Sequence, residues 1–207
     1  MENINLNQEQ IEQNKNSFIN LIKSISRDFD KDKLIAWLDN SDFFTAPASI
    51  KNNSNFSGGL CLHSLNVFAA LENICNNFCC NNSGECLYDL DSIKIVALLH
   101  DINKANYFEL FKRNVKDDTG KWIQVDDYRI KDAENRFIFG NREETSLYMV
   151  KSFIPNLTLE EEVAILTHLG GKGYDSTQMN LGEVYNRYNL ACALHVADML
   201  STFVLKC

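Results

Sequence analysis

His100 and Asp101 close the apolar run IKIVALLHD, which sets an imidazole and a carboxylate side by side at the end of a helix. Such a pair can grip one divalent metal. Two further residues share its setting: His63 in GGLCLHSLNV and Asp198 in ALHVADMLST, each embedded in an apolar, helix-periodic segment. Two neutral imidazoles and two carboxylates give a divalent ion a mixed nitrogen and oxygen shell with positions left for water and a phosphate oxygen. That is an open, catalytic type of site. A metal held there lowers the pKa of its water and withdraws charge from a phosphoryl oxygen, the two effects that hydrolysis of a phosphate bond needs. Manganese, cobalt, nickel, zinc, iron and magnesium all suit such ligands, so the residue types leave the ion open. A single histidine on an apolar helix face is usually a hydrogen-bonded core residue. Four residues in this order, two of them aspartates in apolar runs where an unpaired carboxylate is costly, favour the metal instead.

The order H…HD…D, with the words GGL-x-x-H, LLHD-x-x-K and AD-x-L-x-T around it, resembles the HD superfamily of metal-dependent phosphohydrolases, in particular a subgroup seen in bacteria and their phages. The resemblance runs from about Asp42 to Phe203. It implies one divalent metal on His63, His100, Asp101 and Asp198, and a nucleotide as substrate. It also implies that Lys104, in the HD-x-x-K context, points at the substrate phosphate, where an ammonium offsets charge. A solvated lysine at a helix end is the plain alternative. His195, three residues before Asp198, shares its helix face. Because the family signature places the ligand on the aspartate, His195 is read either as orienting its neighbour or as packed core.

His168, in ILTHLGGKG, stands at a helix end before a glycine-rich loop, where HD proteins with a larger histidine set add a ligand. Here it is read as proton donor or phosphate contact. The further histidine of such sets is absent: the corresponding stretch FGNREETSLYMV carries Asn141 or Arg142 in its place. This departure puts a second metal in doubt and favours a mononuclear site, with Arg142 as a possible fixed positive charge. The catalytic set is thus Asp101, Lys104 and His168. Tyr107, Phe108, Trp122 and Tyr128 are aromatic candidates for stacking on a base, although aromatics at such positions more often fill a core.

These residues need elements to hold them. Helices are expected over about Gln8–Ile25, Lys31–Leu38, Leu60–Phe78 with His63 in its first turn, Ser92–Asn103, Glu143–Phe153, Leu159–Leu169 and Leu181–Leu205. The stretch SDFFTAPASIKNNSNFSGG has loop chemistry, and the first several residues read as a loose arm. FKRNVKDDTGKWIQVDDYRI reads as two short strands about an Asp118-Thr119-Gly120 turn. The fold class expected is all-α, the helical bundle of an HD domain with a small β-hairpin insertion. Residues 1–41 form an N-terminal arm and helices packing on the core, and 42–207 the HD domain, as a single globular unit.

A chain of 207 residues with 45% hydrophobic content can bury one good core. Its formal net charge of -8 argues against a broad electrostatic hold on duplex nucleic acid. Small anionic substrates are compatible with it, since a metal and a few local cations dominate a pocket's field. No apolar stretch reaches the ~18 residues of a membrane span, and the polar MENINLNQEQ is unlike a signal peptide, so a cytoplasmic location without membrane association is expected. Cys75, Cys79, Cys80 and Cys86 crowd together, but without a C-x-x-C pair or a histidine between them they read as reduced thiols rather than a zinc site. Cys61 and Cys192 read as small buried hydrophobes. Two other classes stay open: a nuclease acting on RNA or DNA through the same metal, and a non-catalytic HD module that binds a nucleotide to regulate a partner.

Overall fold

The computed structural model describes residues 5–50, 55–171 and 179–206. Residues 1–4 of the expected loose arm, part of the Asn/Ser loop and most of the glycine-rich loop after His168 lie outside the described residues. The chain is mainly helical. In order it forms α1 (Gln8–Lys23), α2 (Lys31–Asn40), α3 (Gly59–Phe78), α4 (Leu90–Leu99), a two-stranded antiparallel ribbon of β1 (Phe108–Lys116) and β2 (Trp122–Ile130), then α5 (Arg142–Phe153), α6 (Leu159–Thr167), α7 (Leu181–Arg187) and α8 (Asn189–Met199). Short 3₁₀ turns occupy Ile102–Lys104 and Ala133–Asn135, and a π-helical turn over Leu200–Leu205 continues α8.

The apolar run that suggested a metal-bearing helix is the centre of the molecule. Every residue of α4 from Ser92 to Leu99 is buried, which explains why the segment is apolar around its whole circumference rather than along one stripe. Helices α1, α3 and α6 pack against it, and α8 packs on α3 and α6. The N-terminal helices share the same core: Phe18, Ile22, Leu34 and Leu38 are fully buried in one cluster with Leu60, Leu71, Leu98, Ile165 and Leu194. Arg27, in the link between α1 and α2, ties that region down through a two-pronged pair with the buried Glu161 of α6, both N–O distances being 2.7 Å. Asp89 caps α4 by accepting from the Ser92 N–H, and Thr158 with Glu161 forms a capping box on α6.

Two expected helices are each broken. The one expected to run to Asn103 stops at Leu99; His100 is its cap, and Asp101 leaves helical geometry at φ -110 and ψ 21 before the 3₁₀ turn. The change of direction lets His100, Asp101 and Lys104 face one space. The helix expected over Leu181–Leu205 bends by 111° between α7 and α8. Tyr188 at the break leaves helical geometry at φ -127 and ψ 80, and the Asn189 side-chain amide donates to the Tyr185 carbonyl, a local bond that competes with helix continuation. No single described helix is long and apolar enough to cross a membrane.

The strands are longer than expected, at nine residues each, in register from Phe108 opposite Ile130 to Lys116 opposite Trp122. Apolar anchoring is concentrated at the Phe108 end, where Phe108 is buried and Ile130 reaches the cavity described below. Trp122, at the other end of the ribbon, is 65% exposed under the Lys116 ammonium, so it stacks on nothing near that cavity.

Candidate metal centre

Three helices deliver three imidazoles to one carboxylate. His63 comes from α3, His100 caps α4 and His168 caps α6. The Nε2 atoms of His63 and His100 lie 3.7 and 3.4 Å from Asp101 Oδ2, and that of His168 lies 3.6 Å from Oδ1. The rings of His63 and His168 stand 5.4 and 5.0 Å from that of His100 between centroids. His63 enters one turn into α3 rather than in its first turn, because α3 begins at Gly59; Gly58 precedes it with φ 82, a conformation glycine adopts without strain.

The far side of each ring fixes what Nε2 can do. Nδ1 of His100 is 2.8 Å from the Ala97 carbonyl, and Nδ1 of His168 is 2.7 Å from the Ile165 carbonyl. A carbonyl only accepts, so each Nδ1 carries the proton, and in the neutral ring Nε2 keeps its lone pair. Nε2 of His100 and of His168 is buried and makes no hydrogen bond. Buried lone pairs aimed at a shared carboxylate are the donor set a divalent ion requires, so the residues present fit one. One oxygen or nitrogen from each of His63, His100 and Asp101 lies within 4.8 Å of the others, a buried group that can hold a metal ion. Asp198 stands at the edge of this group, its Oδ1 3.1 Å from Nε2 of His63.

Charge is balanced locally. The Lys104 ammonium is 2.6 Å from Asp101 Oδ2. Burial alone pushes the Asp101 carboxyl up, but Lys104 and the imidazoles outweigh it and hold the group well below the usual carboxylate range. Asp198 is likewise held low by His63 against its burial. Burial lowers His100, which stays neutral, whereas for His168 the Asp101 and Asp198 carboxylates overcome burial and raise it.

His63, Asp101 and Asp198 floor a cavity of about 750 Å³ whose wall includes Lys104, Tyr107, Phe108, Arg142 and His195. Nδ1 of His195 donates to the His168 carbonyl at 2.6 Å and its ring stacks on Tyr185, so His195 braces the segment carrying His168. Gly170 permits this: a Cβ there would sit 3.1 Å from the His195 ring, and the backbone φ is 70. Asn141, expected at a missing histidine's place, caps α5 in a capping box with Glu144 instead, while Arg142 faces the cavity. Tyr128 is half-buried outside the wall.

Ser201 escaped sequence reasoning, although a hydroxyl residue one turn after Asp198 on an apolar helix is a detectable signal. It meets His63 at Nδ1, whereas the predicted Asp101 and Asp198 meet the ring at Nε2. Cys75 is buried, Cys79, Cys80, Cys86 and Cys192 are half-buried, and no cysteine joins a metal-competent group among the described residues. Burial pushes the Cys61 thiol up to about 12. No protein-family model matches the chain, and no curated protein and no solved structure matches it either.

Proposed function

We propose that the chain is a metal-dependent phosphohydrolase acting on a nucleotide, the activity implied by its resemblance to the HD superfamily. One observation carries the reading: three imidazole Nε2 atoms and the Lys104 ammonium gather around the Asp101 carboxylate at the floor of a cavity of about 750 Å³. A divalent ion on His63, His100, Asp101 and Asp198 would supply Lewis acidity toward a phosphoryl oxygen and a water of lowered pKa.

The chain's own groups do the remaining work. Lys104 and Arg142 place two cations on the wall of the cavity, where the charge of a phosphoryl group is stabilised better than in water. His168, raised by its carboxylate neighbours and outside the four proposed metal ligands, can take up a proton on its Nε2 lone pair and hand it to a leaving oxygen. The Ala97 and Ile165 carbonyls keep the His100 and His168 rings in one orientation. Ala48, Phe108, Ile130 and Leu169 supply apolar wall that limits water near the reacting groups.

The test is release of phosphate, pyrophosphate or triphosphate from nucleoside mono- and triphosphates, cyclic nucleotides and short oligonucleotides, with each candidate metal in turn, aerobically and anaerobically. Metal-dependent turnover of small nucleotides, abolished by chelation, supports the reading. Silence from folded, metal-loaded protein overturns it and leaves a binding module; degradation of RNA or DNA alone makes it a nuclease.

A further inference from the structure

Beside the metal centre lies a second cavity, of about 450 Å³, lined by Glu143 and Arg136, which the chemistry above leaves unused. Tyr107, Arg142 and Leu169 belong to both walls, so the two spaces adjoin. The 3₁₀ turn links them as well: Asp101 and Lys104 face the first cavity and Asn103 the second.

Glu143, on the wall of this second cavity, is only 3% exposed, and its Oε1 accepts no hydrogen bond. Among the described residues no cation pairs with it. A buried carboxylate oxygen without a partner is unfavourable, and native structures rarely keep one without a use. The start of α5 does not supply that use. Asn141 and Glu144 form its capping box, and although a first-turn carboxylate suits the helix dipole, the dipole provides no donor to Oε1. On the same wall Arg136 has the opposite want. Its Nε is buried and donates to nothing, while its guanidinium lies 4.7 Å from the centroid of the Tyr107 ring. The ring of Phe137 adds an aromatic surface, 53% exposed.

An idle acceptor, an idle donor and two aromatic rings in a cavity of this size match the recognition edge of a planar heterocycle. We infer that this cavity is the base pocket of the nucleotide site and selects bases that carry an exocyclic amino group. The amino N–H donates to Glu143 Oε1, and a neighbouring ring nitrogen or carbonyl accepts from Arg136. Guanine meets both groups best, with its N1–H and amino donors beside O6. Adenine and cytosine meet them with an amino group beside a ring nitrogen. Uracil and thymine flank their single N–H with two carbonyls, one of which would confront the carboxylate. The identification of the ligand as a nucleotide rests on the reading of the metal centre given above; the pairing of Glu143 and Arg136 with a heterocycle does not.

Nucleosides test this without any phosphate chemistry. The full chain, treated with chelator so that nothing turns over, is titrated with guanosine, adenosine, cytidine, uridine and ribose 5-phosphate, with binding read by saturation-transfer NMR and equilibrium dialysis. Guanosine should bind best and uridine at least about tenfold more weakly, the factor expected when one hydrogen bond to a charged group is lost. Glu143→Gln should remove that selection without lowering the melting temperature, because it takes away a buried charge. Arg136→Gln, at a half-buried position, gives the same reading if Glu143→Gln fails to fold. Equal binding of guanosine and uridine, or selection unchanged in a folded variant, overturns the proposal. Nucleoside selection with no turnover of any nucleotide leaves the base pocket standing and removes the phosphohydrolase; turnover indifferent to the base does the reverse.

Discussion

The hydroxyl oxygen of Ser201 lies 3.1 Å from Nδ1 of His63, joining residues 138 positions apart in the chain. It occupies for His63 the place that backbone carbonyls occupy for His100 and His168. The π-helical turn that begins at Leu200 contributes to this placement, since π turns shift side-chain direction relative to an α-helix. Thr202, on the same turn, reaches 3.4 Å from Asp198 Oδ1. Groups that orient a ligating imidazole typically govern metal affinity by about 10–100-fold. Ser201→Ala is therefore expected to weaken metal binding by that factor while leaving the helical dichroism intact. Competition against a coloured chelator measures it, and an unchanged affinity would separate Ser201 from the site.

The purified protein should carry about one divalent metal per chain, and Asp101→Ala should lose it. Asp101 is the residue on which all three Nε2 atoms converge. Its removal also strands Lys104, so some loss of stability is expected alongside. Elemental analysis with circular dichroism distinguishes the cases. Full occupancy in a folded Asp101→Ala variant would refute the ligand assignment.

Lys104→Ala has the opposite signature. The ammonium at 2.6 Å competes with a metal for Asp101 Oδ2, so its removal should leave metal content unchanged or make binding tighter. Turnover should nevertheless fall by about 10²–10³-fold, the scale of losing one group that stabilises developing charge. Parallel measurement of metal content and kcat/KM checks both halves; loss of metal would make Lys104 structural.

Much of this was legible in order and type of residue. Apolar patterning placed α3 and α4 within a few residues, because α3 buries a long apolar face and α4 is buried all round, and Asp118-Thr119-Gly120 marked the ribbon's turn because Gly120 adopts φ 80. The grouping of His63, His100 and Asp101 was expected from ligand types, their order and the resemblance to the HD superfamily, and the structure brings the three together. What sequence could not show was where helices stop under tertiary constraint. The IKIVALLHDINK run has no proline or glycine, yet it turns at Asp101, and at Tyr188 the local cue is as slight as the Asn189 amide that bonds the Tyr185 carbonyl. Glu143 was hidden for a related reason. In FGNREETS it reads as one more polar residue at a helix start, and only the fold, which sets it with Asn103 and Leu169 on the wall of one cavity, makes its burial visible.

The Arg27–Glu161 pair predicts how stability responds to acid. Glu161 is fully buried and, besides both Arg27 nitrogens, accepts from the Ser92 hydroxyl at 2.6 Å and the Thr158 N–H at 2.8 Å. Burial alone would raise its carboxyl, but Arg27 and the other donors prevail and hold it below the ordinary glutamate value. A group whose folded pKa is depressed contributes stability that is fully present above its unfolded pKa, about 4.3, and is lost as pH falls through the folded value. Glu161→Gln leaves Arg27 without its buried partner, a change that costs about 3–5 kcal/mol when a buried pair is broken, so the variant should melt lower at neutral pH. Below about pH 4.3 the wild type loses the same contribution and the two melting curves should draw together. Thermal melts from neutral to acid pH record the gap. If it stays constant down to the acid limit of folding, the pair carries no protonation-linked stability, and the anchoring of the N-terminal helices must rest on apolar contacts such as those of Phe18 and Ile22.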